Sequence, residues 1–152
     1  MSIHELSERK DLFEEAVNAF WKQWGSEESY NFYRDCMLRS CETDEEVPRF
    51  YISVENGAII GTFAILRNDI NSRQDLTPWL ACLYVDPAFR GKELGSQFLQ
   101  YAIDEAARKG YKKLYLATDL VGYYEKYQWL HSSEAYGIGG SSIKVYEKST
   151  ID

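Results

Sequence analysis

The 152-residue chain holds few of the residues that would tie it to metals, disulfides, membranes or nucleic acid. It has only 3 cysteines and 2 histidines. Cys36, Cys41 and Cys82 follow no metal-type spacing and leave an odd thiol over, so reduced structural thiols are expected and no metal. No apolar run approaches the roughly 18 residues of a membrane span. Positive charge is also scarce, with 17 Lys and Arg against 24 Asp and Glu and a formal net charge of −7. That balance argues against a nucleic-acid binder, which presents a basic face. It suits a cationic small molecule or peptide better. The first ten residues lack the apolar core of a signal peptide, so a cytoplasmic protein is expected. Proline is rare at 3 residues, and no linker or repeat divides the sequence. One domain over residues 1–152 follows as the expectation.

What is present is strongly patterned. Leu12, Phe13, Ala16, Val17, Phe20 and Trp24 recur at helical spacing, predicting a helix over residues 7–24 that stops at Gly25. A second helix is predicted over 27–38, followed by a solvated acidic loop at 42–46. Residues 49–55 and 58–66 read as strands around Asn56-Gly57, a dipeptide that tolerates the positive φ of a tight hairpin turn. A polar loop at 67–77 leads into a third strand, 79–85. Gly95, Phe98, Leu99, Ala102, Ile103 and Ala106 form one stripe of a helix over about 92–109 that closes at Gly110. A strand at 113–118, a short helix at 121–127 and two weaker strands at 131–135 and 143–148 complete the chain. A strand–helix–strand unit of this length implies a parallel crossover. The class is α+β: a mixed, mostly antiparallel sheet with about four helices.

The densest chemistry lies in Leu83-Tyr84-Val85-Asp86-Pro87-Ala88-Phe89-Arg90-Gly91-Lys92-Glu93-Leu94-Gly95-Ser96. An apolar strand meets a proline stop, a basic glycine-bearing turn and a helix start. Helix N-termini offer unpaired N–H groups and a positive dipole end, so this order builds an anion site, with Arg90 and Lys92 adding charge.

The segment resembles the acetyl-coenzyme A motif of the GNAT superfamily of N-acetyltransferases. Gly122-Tyr123-Tyr124-Glu125-Lys126-Tyr127-Gln128-Trp129 resembles that family's second signature, aromatic-Tyr-Glu-Lys-Leu-Gly-aromatic. The resemblance implies a GNAT-like sheet whose one parallel strand pair splays for coenzyme A. It further implies that backbone groups of Leu83 and Val85 pair with the pantetheine arm, flanked by Tyr84. Backbone N–H groups of Arg90, Gly91, Lys92, Glu93, Leu94, Gly95 and Ser96 would cradle the pyrophosphate. Tyr124 would stand near the coenzyme sulfur and protonate the departing thiolate. The reaction implied is direct acetyl transfer from acetyl-coenzyme A to a primary amine of a small molecule or peptide, with a homodimer as one assembly.

Several positions depart from the pattern. Glu93 and Gln128 occupy places where the family usually has glycine. The strand from Trp79 to Leu83 has no glutamate to act as base, leaving Asp75, Glu28 or Asp119 as candidates. Arg108, Lys109, Lys112 and Lys113 could meet the 3′-phosphate or serve only as helix C-terminal cations. Trp21, Trp24 and Trp79 could line an acceptor pocket or fill the core. Cys82 reads as an apolar buried thiol, not a covalent acetyl carrier. Glu93 and the missing base keep a second reading open, a non-catalytic acyl-coenzyme A-binding module. A third is a different phosphate ligand on the same turn.

Overall fold

The computed structural model describes residues 1–151, and its elements follow from the patterning above. Seven strands, β1 (Ser2–Glu5), β2 (Arg49–Glu55), β3 (Ala58–Leu66), β4 (Trp79–Val85), β5 (Lys113–Thr118), β6 (Leu130–Tyr136) and β7 (Ser142–Ser149), form one sheet. Its order is β1-β2-β3-β4-β5-β7-β6. β4 and β5 run parallel, with Trp79 opposite Tyr115. The pairs β1–β2, β5–β7 and β6–β7 are antiparallel. Three α-helices accompany the sheet: α1 (Phe13–Trp24), α2 (Tyr30–Glu42) and α3 (Leu94–Arg108). The fourth helix expected over 121–127 is a single 3₁₀ turn, Tyr124–Tyr127, because Gly122 (φ 87°) and Gln128 (φ 69°) turn left-handed on either side.

The fold comprises two compact units. The first contains Met1–Ala64 and Cys82–Gly95. Its core gathers the buried faces of α1 and β2. Phe20 meets Phe50 edge-on at 5.3 Å, and Tyr51 stacks on Phe63 at 4.7 Å. Each such side chain contributes about 1.5–3 kcal/mol by leaving water. Arg34 of α2 bonds both carboxylate oxygens of Glu14 on α1, at 3.2 and 2.8 Å. The acidic loop after α2 is held from within: Arg49 donates to the carbonyls of Ser40, Thr43 and Glu45 and pairs with Glu5. Trp21 donates to the Ser26 carbonyl, and Trp24 is exposed.

The second unit contains Ile65–Ala81 and the chain from Ser96 onward. Here Trp79 is fully buried with Ala135 and Val145, and its indole N–H donates to Leu76 O at 2.7 Å. Trp79 is therefore core. Of the predicted α3 stripe, Phe98, Leu99, Ala102, Ile103 and Ala106 are buried, while Gly95 in the first turn is half-buried. Gly110 (φ 91°) and Tyr111 return N–H bonds to Ala107 and Ala106, closing the helix as a Schellman motif. No helix among the described residues is long and apolar enough to cross a membrane.

Candidate functional site

The strand-to-helix turn is built by short-range bonds. Asp86 N–H donates to Ile60 O, fixing the end of β4, and Asp86 Oδ1 accepts from Ala88 N–H at 2.9 Å. Pro87 opens the 3₁₀ turn Pro87–Phe89, where its missing N–H is no loss. Arg90 N–H bonds back to Pro87 O, so the turn itself uses that donor. Gly91 (φ 82°) and Glu93 (φ 62°) then adopt left-handed backbone, and α3 starts at Leu94. Left-handed residues in such a turn aim successive N–H groups at one side, the geometry of an anion nest. The first turn of α3, which opens at Leu94 and Gly95, adds N–H groups with no carbonyl inside the helix to receive them.

Both cations rest on this same turn. Arg90 Nε donates to Val85 O at 2.9 Å, and its guanidinium lies over the Tyr84 ring at 5.6 Å. Lys92 Nζ lies 5.6 Å from the Phe89 ring centre. Exposed cation–π contacts of this kind are worth about 0.5–1 kcal/mol, little enough for an anion to compete. Upstream, Cys82 interrupts β4 with φ 56°, and its carbonyl accepts from Thr62 Oγ1 at 2.9 Å. Leu83, Tyr84 and Val85, all half-buried, follow that interruption. Leu83 to Gly95 belong to the first unit, Ser96 and Tyr124 to the second.

Tyr124 is buried, with only 9% of its surface exposed. Its ring meets Tyr123 at 4.9 Å, Tyr146 at 6.0 Å and Trp129 at 6.2 Å. Burial, assisted by Tyr123, pushes its hydroxyl up to about 12, so it stays protonated at neutral pH. Beside it, Tyr146 donates to Glu125 Oε2 at 2.7 Å, which holds that carboxyl below its usual range.

The sequence model of the Acetyltransferase (GNAT) family matches residues 10–128. The chain belongs to the GNAT acetyltransferase family. No curated protein matches it. Among solved structures it resembles an aminoglycoside 6′-N-acetyltransferase complexed with coenzyme A, at 16% identity and TM-score 0.70, covering 100% of this chain and 98% of that one. An N-acetyltransferase from Staphylococcus aureus Mu50 gives 20% identity and TM-score 0.70, with 98% of each chain covered. A GNAT acetyltransferase from Elizabethkingia anophelis with acetyl-CoA bound gives 18% and 0.63, with 97% of each covered. At these identities the likeness speaks for the fold.

Against the GNAT pattern, the two lost glycines take on meaning. Glu93 and Gln128 stand at family glycine positions, and both keep left-handed backbone, at φ 62° and 69°. The turn shapes therefore survive while a side chain is carried in a region that costs an L-residue about 1–2 kcal/mol.

The base candidates fare unevenly. Asp75 is clamped by Arg73 at 2.9 and 2.8 Å, which holds its carboxyl low and makes it a poor proton acceptor. Glu28 and Asp119 are exposed. Asp69, which sequence reasoning passed over, is half-buried in the loop between β3 and β4, and desolvation pushes its carboxyl up to about 6. No periodicity or motif marks Asp69; its shift arises from where the loop folds. Arg108 pairs with Glu105 and Lys113 with Glu147, as cations near the ends of their elements. The thiols of Cys36 and Cys41 are pushed up by burial, which disfavours thiolate. Among the described residues no cluster of three metal-type ligands occurs.

Proposed function

We propose that the protein transfers an acetyl group from acetyl-coenzyme A to a primary amine by direct attack. The observation that carries this reading is the turn from Arg90 to Leu94, whose left-handed Gly91 and Glu93 run into the first turn of α3. In this reading the pyrophosphate sits on the N–H groups from Gly91 onward, with Arg90 and Lys92 as movable counter-charges. Backbone groups of Leu83 and Val85 take the pantetheine arm as an added strand.

The amine nitrogen, deprotonated first, attacks the thioester carbonyl carbon, and a backbone N–H near Leu83 stabilises the oxyanion. The carbon–sulfur bond breaks, and the sulfur takes its proton from Tyr124 Oη. The proton lost by the attacking nitrogen restores the phenol. Asp69, poised near neutrality, is the carboxylate whose protonation range best suits accepting the amine's first proton. The neighbours named as aminoglycoside enzymes place no such limit on the amine of this chain.

A thermal-shift titration with acetyl-coenzyme A, followed by free-thiol release against a panel of amines, tests the reading. Stabilisation with amine-dependent thiol release supports it. Stabilisation with no release from any amine favours the second reading, a non-catalytic acyl-coenzyme A-binding module. The carboxylate of Glu93 at the pyrophosphate turn is the observation on that side.

A further inference from the structure

Tyr124 stands on a short support. Its turn, Tyr124–Tyr127, is a single 3₁₀ turn between two left-handed residues, Gly122 (φ 87°) and Gln128 (φ 69°). The closing bonds run from Gln128 N–H to Glu125 O at 3.0 Å and from Trp129 N–H to Tyr124 O at 3.2 Å. One such turn does not hold itself. Forming it fixes several dihedrals for each bond gained, and 3₁₀ bonds are poorly aligned. A contact from outside the turn has to fix the direction of the phenol.

β7 supplies that contact. The strand lies between β5 and β6, with Tyr146 opposite Leu116 on one side and His131 on the other. Side chains alternate along a strand, so Val145 joins Trp79 and Ala135 on one face while Tyr146 turns to the other, where it is 1% exposed. Its ring is held by the stacked His131 ring at 5.4 Å and by the tilted Tyr124 ring at 6.0 Å. His131 itself lies 3.6 Å from Glu134. All of these residues belong to the second unit.

From that fixed ring the Tyr146 hydroxyl donates to Glu125 Oε2 at 2.7 Å, the length expected of a hydroxyl on a carboxylate. Glu125 is an exposed residue, and water could solvate its carboxylate equally well. A long side chain that gives up that freedom gains one fixed direction. The residue after Tyr124 is thereby tied to the same ring that Tyr124 packs against. The circuit closes from the Tyr124 ring to the Tyr146 ring, through the hydroxyl to Glu125, and back along the chain to Tyr124.

We propose that Tyr146 and Glu125 are positioning residues, a clamp that holds the turn so that the Tyr124 hydroxyl stays aimed at the leaving sulfur. Both act through Tyr124, and neither exchanges a proton with the substrate. This inference rests on the proposed acetyl transfer.

The test pairs kinetics with a readout that needs no turnover. Tyr146→Phe keeps the ring and deletes the donor, Glu125→Ala deletes the acceptor, and Glu125→Gln keeps an acceptor oxygen without the charge. Each is made in the unsubstituted chain and in Tyr124→Phe, and thiol release from acetyl-coenzyme A is measured with phenethylamine, spermine and glycinamide. Amide exchange at Gln128 and Trp129 is followed by NMR with no substrate present. Tyr146→Phe and Glu125→Ala should each lower kcat about tenfold with KM for acetyl-coenzyme A within twofold. The double variant should be no slower than either single one, and Glu125→Gln should recover most of the rate. Exchange at both amides should be at least about fivefold faster in Tyr146→Phe. In Tyr124→Phe the same substitutions should cost nothing further, because no hydroxyl is left to aim. A tenfold loss that persists in Tyr124→Phe overturns the inference, since the pair then acts elsewhere. Unchanged kcat and exchange in Tyr146→Phe, while the unsubstituted chain turns over, overturns the inference alone. Faster exchange with no thiol release from any amine overturns the transfer reading and leaves the clamp standing.

Discussion

Tyr124 owes its chemistry to its neighbours. Rings of Tyr123, Trp129 and Tyr146 remove water from the phenol, and its ionisation rises to about 12. A thiolate leaving group, with an ordinary pKa of about 8.5, does not fully deprotonate such a phenol at equilibrium. In the proposed transfer the hydroxyl would therefore act as a donor to sulfur as the carbon–sulfur bond breaks, with the amine's proton completing the exchange. Tyr124→Phe should keep the ring contacts, lower kcat about 10²-fold and leave coenzyme binding within twofold, as read by thiol release and isothermal titration. Equal kcat in the variant would remove the acid role. Glu93 poses a different test, because it sets helix-dipole stabilisation against a left-handed backbone. The dipole term is about 0.3–1 kcal/mol and the strain about 1–2 kcal/mol. Glu93→Gly should then gain about 1 kcal/mol in urea unfolding and tighten coenzyme binding. Glu93→Gln keeps the strain and removes the charge, so any tightening it shares with the glycine variant is electrostatic.

At the scale of elements, the apolar stripe of α3 gives the clearest energetic expectation. Phe98 is fully buried, so Phe98→Ala should cost about 3–5 kcal/mol in denaturant unfolding. A loss under 1 kcal/mol would mean that the stripe collapses around the hole. That stripe was legible because packing alone sets its period. The hairpin was legible too: Asn56 (φ 52°) and Gly57 (φ 79°) form the turn their side chains permit, and β2 and β3 end where predicted. The start of α1 was not. Ser7, where the predicted helix was to begin, donates its hydroxyl to Glu5, and two 3₁₀ turns, Leu6–Glu8 and Lys10–Leu12, precede Phe13. α2 starts late for a related reason, since Ser26 and Ser29 cap a 3₁₀ turn ahead of Tyr30. It runs past Leu38 because Arg39 bridges Asp35 and Glu42 along its polar face. Local hydrogen bonds of this kind leave no periodic trace. The turn from Arg90 to Leu94 was legible as a motif, yet the kink at Cys82 and the Asp69 carboxyl depend on how distant segments fold.

For the whole molecule, the acidic balance and the individual carboxylates act on stability in opposite directions. Asp11, Glu14, Asp75 and Glu125 are held below their ordinary range, chiefly by hydrogen bonds from Arg9, Arg34, Arg73 and Tyr146. Their contributions are present above the unfolded carboxylate range, near 4, and are lost as pH falls through their lowered folded values. Asp69 works the other way. Desolvation alone lifts it from 3.8 to about 6, so its contribution is complete below about 4 and is lost as pH rises through about 6. Net charge reaches −7 at pH 7 from an isoelectric point near 4.9, and self-repulsion adds to the loss on the neutral side. Tm should therefore peak between about pH 5 and 6, fall below pH 4 as the paired carboxylates protonate, and decline from pH 6 to 8. Asp69→Asn removes the desolvated charge and should add about 1–2 kcal/mol at pH 7, with no gain at pH 4. A gain equal at both pH values would show that the substitution acts through packing, because only the ionised carboxylate carries the pH dependence.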